Sequence, residues 1–164
     1  MLKEEIQQDL KEALKAKREL EVSTLRLLNS AILNKEKEKR YLIAKANQGL
    51  KEEELAEKSQ LSEEETTDVV SSEIKKRKES VAGFEKGGRK DLVEKESKEI
   101  EILKKYQPEQ LSEEEIIKLA KEAVEKLKAK EIKDMGKVMS ELMPRVKGRA
   151  DGGLVSKAVK ELLS

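Results

Sequence analysis

The 164-residue sequence contains no cysteine and no histidine. Without these side chains it has no disulfide, no zinc site of the usual Cys/His type and no Ser-His-Asp or Cys-His nucleophile. Acid–base chemistry would fall to carboxylates, lysine or tyrosine, and carboxylates alone could hold Mg²⁺. No catalytic residue, metal ligand or cofactor can be named, so the sequence leaves open whether the chain is an enzyme.

Aromatic residues are almost as scarce, because the only three are Tyr41, Phe84 and Tyr106. So few rings argue against a surface on which nucleic-acid bases stack. Charged residues make up 43% of the chain, but 36 basic residues against 35 acidic ones give a net charge of only +1. A balanced chain attracts nucleic acid or an anionic membrane only through a local patch.

Long apolar runs are absent as well, since no stretch approaches the roughly 18 residues that span a bilayer. The first residues, Met1 to Glu5, form no apolar signal core and are too acidic for a transit peptide. These absences lead us to expect a soluble cytoplasmic monomer without a membrane partner.

The residues that are present favour helices. Ala, Glu, Lys, Leu and Arg together account for more than half of the chain, a bias typical of long helices. Apolar residues recur at helical spacing, first from Leu2 to Leu14 and then from Val22 to Ile32. No strand pattern competes, so we predict an all-α fold of about seven helices, with residues 48–60 as a loop or a short helix.

Capping signals place several helix boundaries. Ser62 and Ser112 each precede three glutamates, the pattern of a capping box, and Gly87-Gly88 is a typical stop. Asp91 and Asp151 are predicted to cap the helices that follow them. Pro108 marks the best boundary. We therefore predict an N-terminal helical bundle over residues 1–107 and a three-helix domain over residues 108–164.

A local excess of positive charge lies between Met143 and Lys160, where Asp151 is the one acidic residue. The basic residues are Arg145, Lys147, Arg149, Lys157 and Lys160. One interpretation is a phosphate-binding corner, in which Gly148 allows close backbone approach and the amides of Gly152 and Gly153 open a helix. The other is structural: Gly148 and Asp151 cap helices and the cations are solvated. Helix-capping preferences and the helix dipole, taken alone, favour the structural interpretation.

Two further stretches have simple explanations. The run Lys75-Lys76-Arg77-Lys78 spreads around a whole helix turn, so it is predicted to be solvated. The glycine-rich stretch from Gly83 to Asp91 lacks the ending of a phosphate-binding loop and is predicted to be a helix–helix turn.

Several motifs, taken together, resemble the GatB/YqeY family and occur in the same order along nearly the whole chain. They are Leu25–Leu28, Glu73–Ser80, Pro108–Glu115, Asp134–Met139 and Met143–Gly152. Two features depart from the family pattern. The stretch from Tyr41 to Gln60 is longer than usual, and Ser140 stands where glycine is common.

The resemblance implies a function. Members of this family are similar to the C-terminal tail of the B subunit of the glutamine-dependent aminoacyl-tRNA amidotransferase, a carbon–nitrogen ligase with glutamine as amido-N-donor. That tail is a small helical module that contacts the outer corner of tRNA. The resemblance thus implies a non-catalytic module whose partner is tRNA or an amidotransferase or synthetase protein. It would use Arg145, Lys147, Gly148, Arg149, Lys157 and Lys160. The alternative is a protein-interaction bundle with no nucleic-acid role.

Overall fold

The computed structural model describes residues 1–164 and consists of helices joined by short connections, without a strand, which confirms the all-α prediction. Eight α-helices form, one more than predicted, because the segment predicted as a loop or short helix contains a helix of its own. They are α1 (Leu2–Lys15), α2 (Glu19–Ala46), α3 (Glu52–Lys58), α4 (Glu63–Lys86), α5 (Lys90–Lys104), α6 (Glu113–Leu127), α7 (Met135–Val146) and α8 (Gly152–Leu162), with a 3₁₀ turn at Ile132–Asp134.

The chain forms two compact units, Met1–Tyr106 and Gln107–Ser164, and each has a hydrophobic core of its own. The first unit contains α1 to α5 and the second contains α6 to α8. Whether either unit folds without the other stays a prediction.

The core of the first unit follows from the apolar stripe on α2. Leu25, Leu28 and Ile32 are fully buried and pack with Ile6 of α1 and Val70 of α4. All the buried residues of α2 lie between Val22 and Ile32. The C-terminal part of this 28-residue helix contributes no buried residue, and it reaches α3 and α4 through the ion pairs of Arg40 with Glu52 and of Lys39 with Glu65.

A buried ion cluster joins α4 to α5, where the sequence predicted only solvated charge. Lys75, Lys76 and Lys78 are exposed as predicted, but Arg77 retains only 7% of its accessible surface. Its Nε donates a hydrogen bond to Glu99 (3.0 Å) and a terminal nitrogen donates to the carboxylate of Glu73 (2.8 Å). The prediction was wrong for Arg77 because α5 covers that side of α4.

The second unit is a small three-helix arrangement around buried aliphatic side chains. Val138 and Leu142 of α7 meet Val155 and Val159 of α8, and Ala120 of α6 is fully buried against them. Alanine on α6 lets the helices approach closely, since it adds little volume between them.

Three of the four predicted N-caps are confirmed. Ser62 and Ser112 accept hydrogen bonds from the amides three residues ahead, and Asp151 caps α8. The prediction for Asp91 was wrong, because the N-cap of α5 is Arg89, two residues earlier, and the helix begins at Lys90. Gly88, at φ +69°, turns the chain so tightly that the Arg89 amide already bonds the Phe84 carbonyl (2.9 Å).

We expect Ser112→Ala to lower the free energy of unfolding by about 0.5–2 kcal/mol, because the N-terminus of α6 loses its cap. In the wild type the Glu115 amide donates to the Ser112 hydroxyl (3.2 Å), while the Ser112 amide donates to the Glu115 carboxylate (2.8 Å). Urea denaturation would measure the loss. Ser140→Ala is the matched control, since that exposed hydroxyl bonds only within its own helix. An equal loss in both variants would contradict the capping role.

Candidate functional site

The basic corner is built on the tight connection between α7 and α8. Helix α7 continues through Pro144, ends at Val146 and is followed by Gly148 with φ of +72°. The amides of Arg149 and Ala150 both donate to the Val146 carbonyl (2.9 and 3.0 Å). Gly148 therefore supplies the left-handed conformation with which helices commonly end, a conformation that other residues adopt with strain.

Residues 109–111, at the start of the second unit, form hydrogen bonds to this connection. The Leu111 amide donates to the Arg149 carbonyl (2.8 Å), and the Gln110 side-chain amide donates to the Gly148 carbonyl (2.9 Å). The Arg149 Nε reaches the Glu109 carbonyl at 3.3 Å. Sequence reasoning missed this support by residues 109–111, because contacts between segments about 40 residues apart leave no periodic signal. Three hydrogen bonds thus hold the Gly148 loop against residues 109–111.

The amides that open α8 are engaged by the chain itself. Asp151 Oδ1 accepts hydrogen bonds from the amides of Gly153 (2.8 Å) and Leu154 (3.3 Å). A carboxylate of the protein thus stands where the phosphate interpretation placed an anion. For Gly153 the structural interpretation is the one that the geometry supports, because Asp151 already occupies its amide and that of Leu154.

The five cations fall into two groups. Arg145, Lys147 and Arg149 lie at the end of α7 and on the loop, whereas Lys157 and Lys160 are exposed on α8. At about 1.5 Å per residue, the α8 lysines are roughly 9 and 14 Å along the helix from the Asp151 cap. The structure therefore spreads the predicted site along one loop and one helix.

Acidic groups neutralise part of this charge. Arg145 pairs with Glu122 of α6 at 3.0 Å, and Arg149 is half-buried on the loop. Hydrogen bonds from the backbone and hydroxyl of Ser112 lower the pKa of Glu115, and the charge of Arg149 lowers it further. The side chains of Lys147, Lys157 and Lys160 are exposed.

Exposed apolar side chains accompany the α8 cations, a feature that the sequence analysis did not single out. Leu154 (46% exposed) and Ile117 (38% exposed) line a small groove between α8 and α6, together with Lys157 and the carboxylates Glu113 and Glu161. The sequence could have indicated their exposure, because Ile117 and Leu154 lie next to, and not within, the apolar stripes that form the core. Exposed apolar side chains flanked by charges of both signs in so small a groove suit a macromolecular partner better than a small molecule.

No helix in the structure combines the length and the apolar character that crossing a membrane requires.

The folded chain is thus a two-unit, all-helical protein whose candidate site is a hydrogen-bonded basic loop followed by α8 with its two exposed lysines. A family model described as Yqey-like protein matches residues 34–163. The chain therefore belongs to the YqeY-like protein family, which confirms the resemblance found in the sequence.

Curated relatives share one name, "Altered inheritance of mitochondria protein 41, mitochondrial". The protein from Pyrenophora tritici-repentis is 30% identical over 96% of this chain and 78% of its own length. Those from Kluyveromyces lactis and Lachancea thermotolerans are each 38% identical over 62% of this chain. In the latter two, the matched region spans 46% and 45% of the relative's length.

The names of these relatives contradict the cytoplasmic location that we expected from the sequence, since they are mitochondrial proteins. The expectation rested on the absence of recognisable signals in the residues present. Such an absence does not specify a compartment, and the prediction was wrong on this point.

Proposed function

We propose that this protein is a non-catalytic accessory of tRNA-dependent amidotransferase chemistry that binds tRNA through its basic corner. The observation that carries the proposal is the Gly148 loop, which hydrogen bonds from Gln110 and Leu111 hold, with Lys147 on it between α7 and the exposed lysines of α8. A hydrogen-bonded loop matters because phosphate contacts set the register and orientation of a protein on nucleic acid.

The contact would involve the tRNA backbone and its folded shape. Recognition of bases in RNA generally uses aromatic stacking, and Tyr106 is buried while Tyr41 and Phe84 belong to the first unit. With about three phosphates engaged, the logarithm of affinity should fall with the logarithm of salt concentration with a slope of roughly −2 to −3. We expect a dissociation constant in the micromolar range or weaker.

The double variant Lys147→Glu/Lys157→Glu should abolish tRNA binding, because it replaces two attractive charges with repulsive ones. Fluorescence anisotropy with labelled tRNA at low salt would measure the affinity. Both side chains are exposed, so helix content should not change.

Lys75→Glu/Lys78→Glu is the matched control, since it makes the same change in net charge at two exposed positions of α4. We expect it to weaken binding by less than threefold. Equal affinities of the wild type and the Lys147/Lys157 variant would refute the proposed site, and equal losses in both variants would show that only net charge matters.

The second candidate function is protein binding at the same corner, and the exposed Ile117 and Leu154 favour it. If tRNA does not bind, a partner protein would cover this apolar strip and pair with Lys157. Ile117→Ser/Leu154→Ser would then disrupt the complex while Lys147→Glu would not, which separates the two functions.

A further inference from the structure

A long groove runs between α2 and α4 in the first unit, far along the sequence from the basic corner. Its volume is about 840 Å³, and one wall is a single stripe of α2 that continues past the buried part of that helix. The central stripe of this α2 wall is Leu27, Ala31, Asn34, Lys35, Glu38 and Leu42. Ser30 and Lys39 flank it, and Lys39 pairs with Glu65 of α4 (2.7 Å).

An exposed apolar side chain lies at each end of this stripe. Leu27 is 54% exposed and Leu42 is 63% exposed. Fifteen residues separate them, which corresponds to about 22 Å along a helix axis. Between them lies an exposed ion pair, Lys35 with Glu38 at 2.9 Å. The stripe thus has a leucine at each end and opposite charges near its centre.

This order is self-complementary. Two copies of α2 laid antiparallel, with a twofold axis between positions 34 and 35, place Leu27 of each copy opposite Leu42 of the other. Ala31 then faces the aliphatic part of Glu38. Lys35 lies about 6 Å along the axis from Glu38 of the other copy, within reach of these two long side chains. Apolar groups meet apolar groups, and cations meet anions.

We propose that this groove is a homodimerisation surface in which α2 pairs antiparallel with α2 of a second copy. Twofold dimers use the same patch on both subunits, which requires a self-complementary patch of this kind. The footprint of a helix of this length is a few hundred Å², well under the roughly 800 Å² per partner of a standard stable interface. The dimer should therefore be weak and form at tens of micromolar, in place of the monomer expected from the sequence.

Charge reversal provides the sharpest test of the pairing. Lys35→Glu places four carboxylates around the twofold axis, and Glu38→Lys places four ammonium groups there. Each variant alone should remain at the monomer mass of 18.6 kDa at protein concentrations where the wild type reaches twice that mass. An equimolar mixture of the two variants should dimerise again, because each copy then meets the opposite charge. Sedimentation equilibrium from 5 to 500 μM would measure all four samples.

Leucine variants test the apolar ends. Leu27→Glu should shift the dimer dissociation constant upward at least tenfold, whereas Leu33→Glu should leave it unchanged. Leu33 is a matched control, being 53% exposed on the same helix but outside the groove. Circular dichroism would verify that every variant is folded.

A wild type that stays at the monomer mass up to 500 μM would overturn the proposal. So would a dimer that survives in both charge variants, because it would use another surface. Failure of the mixture to dimerise would refute the antiparallel register.

Discussion

Replacing Arg77 with methionine is expected to lower the free energy of unfolding of the first unit by about 3–5 kcal/mol. The substitution keeps most of the side-chain volume but removes the cation from a cluster of buried carboxylates. Glu99 retains only 5% of its accessible surface, and its Oε2 accepts the Nε–H of Arg77 at 3.0 Å. A buried carboxylate that loses its partner must stay charged without compensation or take up a proton, and both cost free energy.

The lowered pKa of Glu73 makes the stability of the first unit depend on pH. Burial acts to raise the pKa of this carboxyl, but hydrogen bonds from Lys76 and Arg77 outweigh it and leave the pKa below its usual value. A group whose pKa is lowered by folding adds stability above its unfolded pKa, and that stability is lost as pH falls through the folded pKa. The wild type should therefore lose part of its stability below about pH 4.5, near the usual pKa of a glutamate, and Arg77→Met should lose less over the same range.

Two variants complete this experiment. Lys76→Met removes a cation that contacts the same Glu73 carboxylate (2.7 Å), but its side chain is 67% exposed. We expect that change to cost less than about 1 kcal/mol, as for most surface ion pairs. Arg77→Met/Glu99→Leu should regain much of the stability lost in Arg77→Met, because no unpaired charge stays buried. Urea denaturation would measure all three, and equal losses for Arg77→Met and Lys76→Met would contradict the role of the buried cluster.

Leu142→Ala is expected to unfold a substantial fraction of the second unit while the first unit remains folded. Leu142 is fully buried at the centre of the second core. A buried leucine-to-alanine change costs about 2–5 kcal/mol. A unit of 58 residues, from Gln107 to Ser164, has a total stability of roughly 3–9 kcal/mol at typical values per residue. One substitution thus removes a large share of what holds these three helices together.

Hydrogen exchange resolved by residue would measure the outcome. We expect the amides of α6, α7 and α8 to lose protection by at least tenfold, while those around Leu28 and Val70 keep wild-type protection. Leu154→Ala is the control, because that leucine lies on the same unit but is 46% exposed. A uniform loss of protection over the whole chain would show that the two units unfold together, which would contradict separate folding.

Most helix positions could be predicted from the sequence because their causes are local. Leu25, Leu28 and Ile32 recur at the helical period, and Ser62 and Ser112 reach amides only three residues away. Both signals lie within one or two turns of chain. The prediction at Asp91 was wrong by two residues, and its cause is local as well. The tight turn at Gly88 lets α5 begin at Lys90, before Asp91.

The candidate site was predictable only in part. The sequence locates the cations of the corner and the glycine between them, because a cluster of charge is visible without a fold. It could not show that Gln110 and Leu111 hold the Gly148 loop or that Glu122 pairs with Arg145. The sequence suggested both a cap and a phosphate site at the start of α8. It could not show that Asp151 binds the amides of Gly153 and Leu154.

The sequence by itself thus determined an all-helical chain with its caps, its apolar stripes and its family, since each depends on neighbours along the chain. Only the tertiary structure decided which charges are buried, which stripe residues stay exposed and which cations have partners. Arg77 and Lys76 are adjacent in sequence, yet one lies buried against α5 and the other faces solvent. That difference depends on where a second helix packs, and packing brings together residues whose separation along the chain has no fixed period.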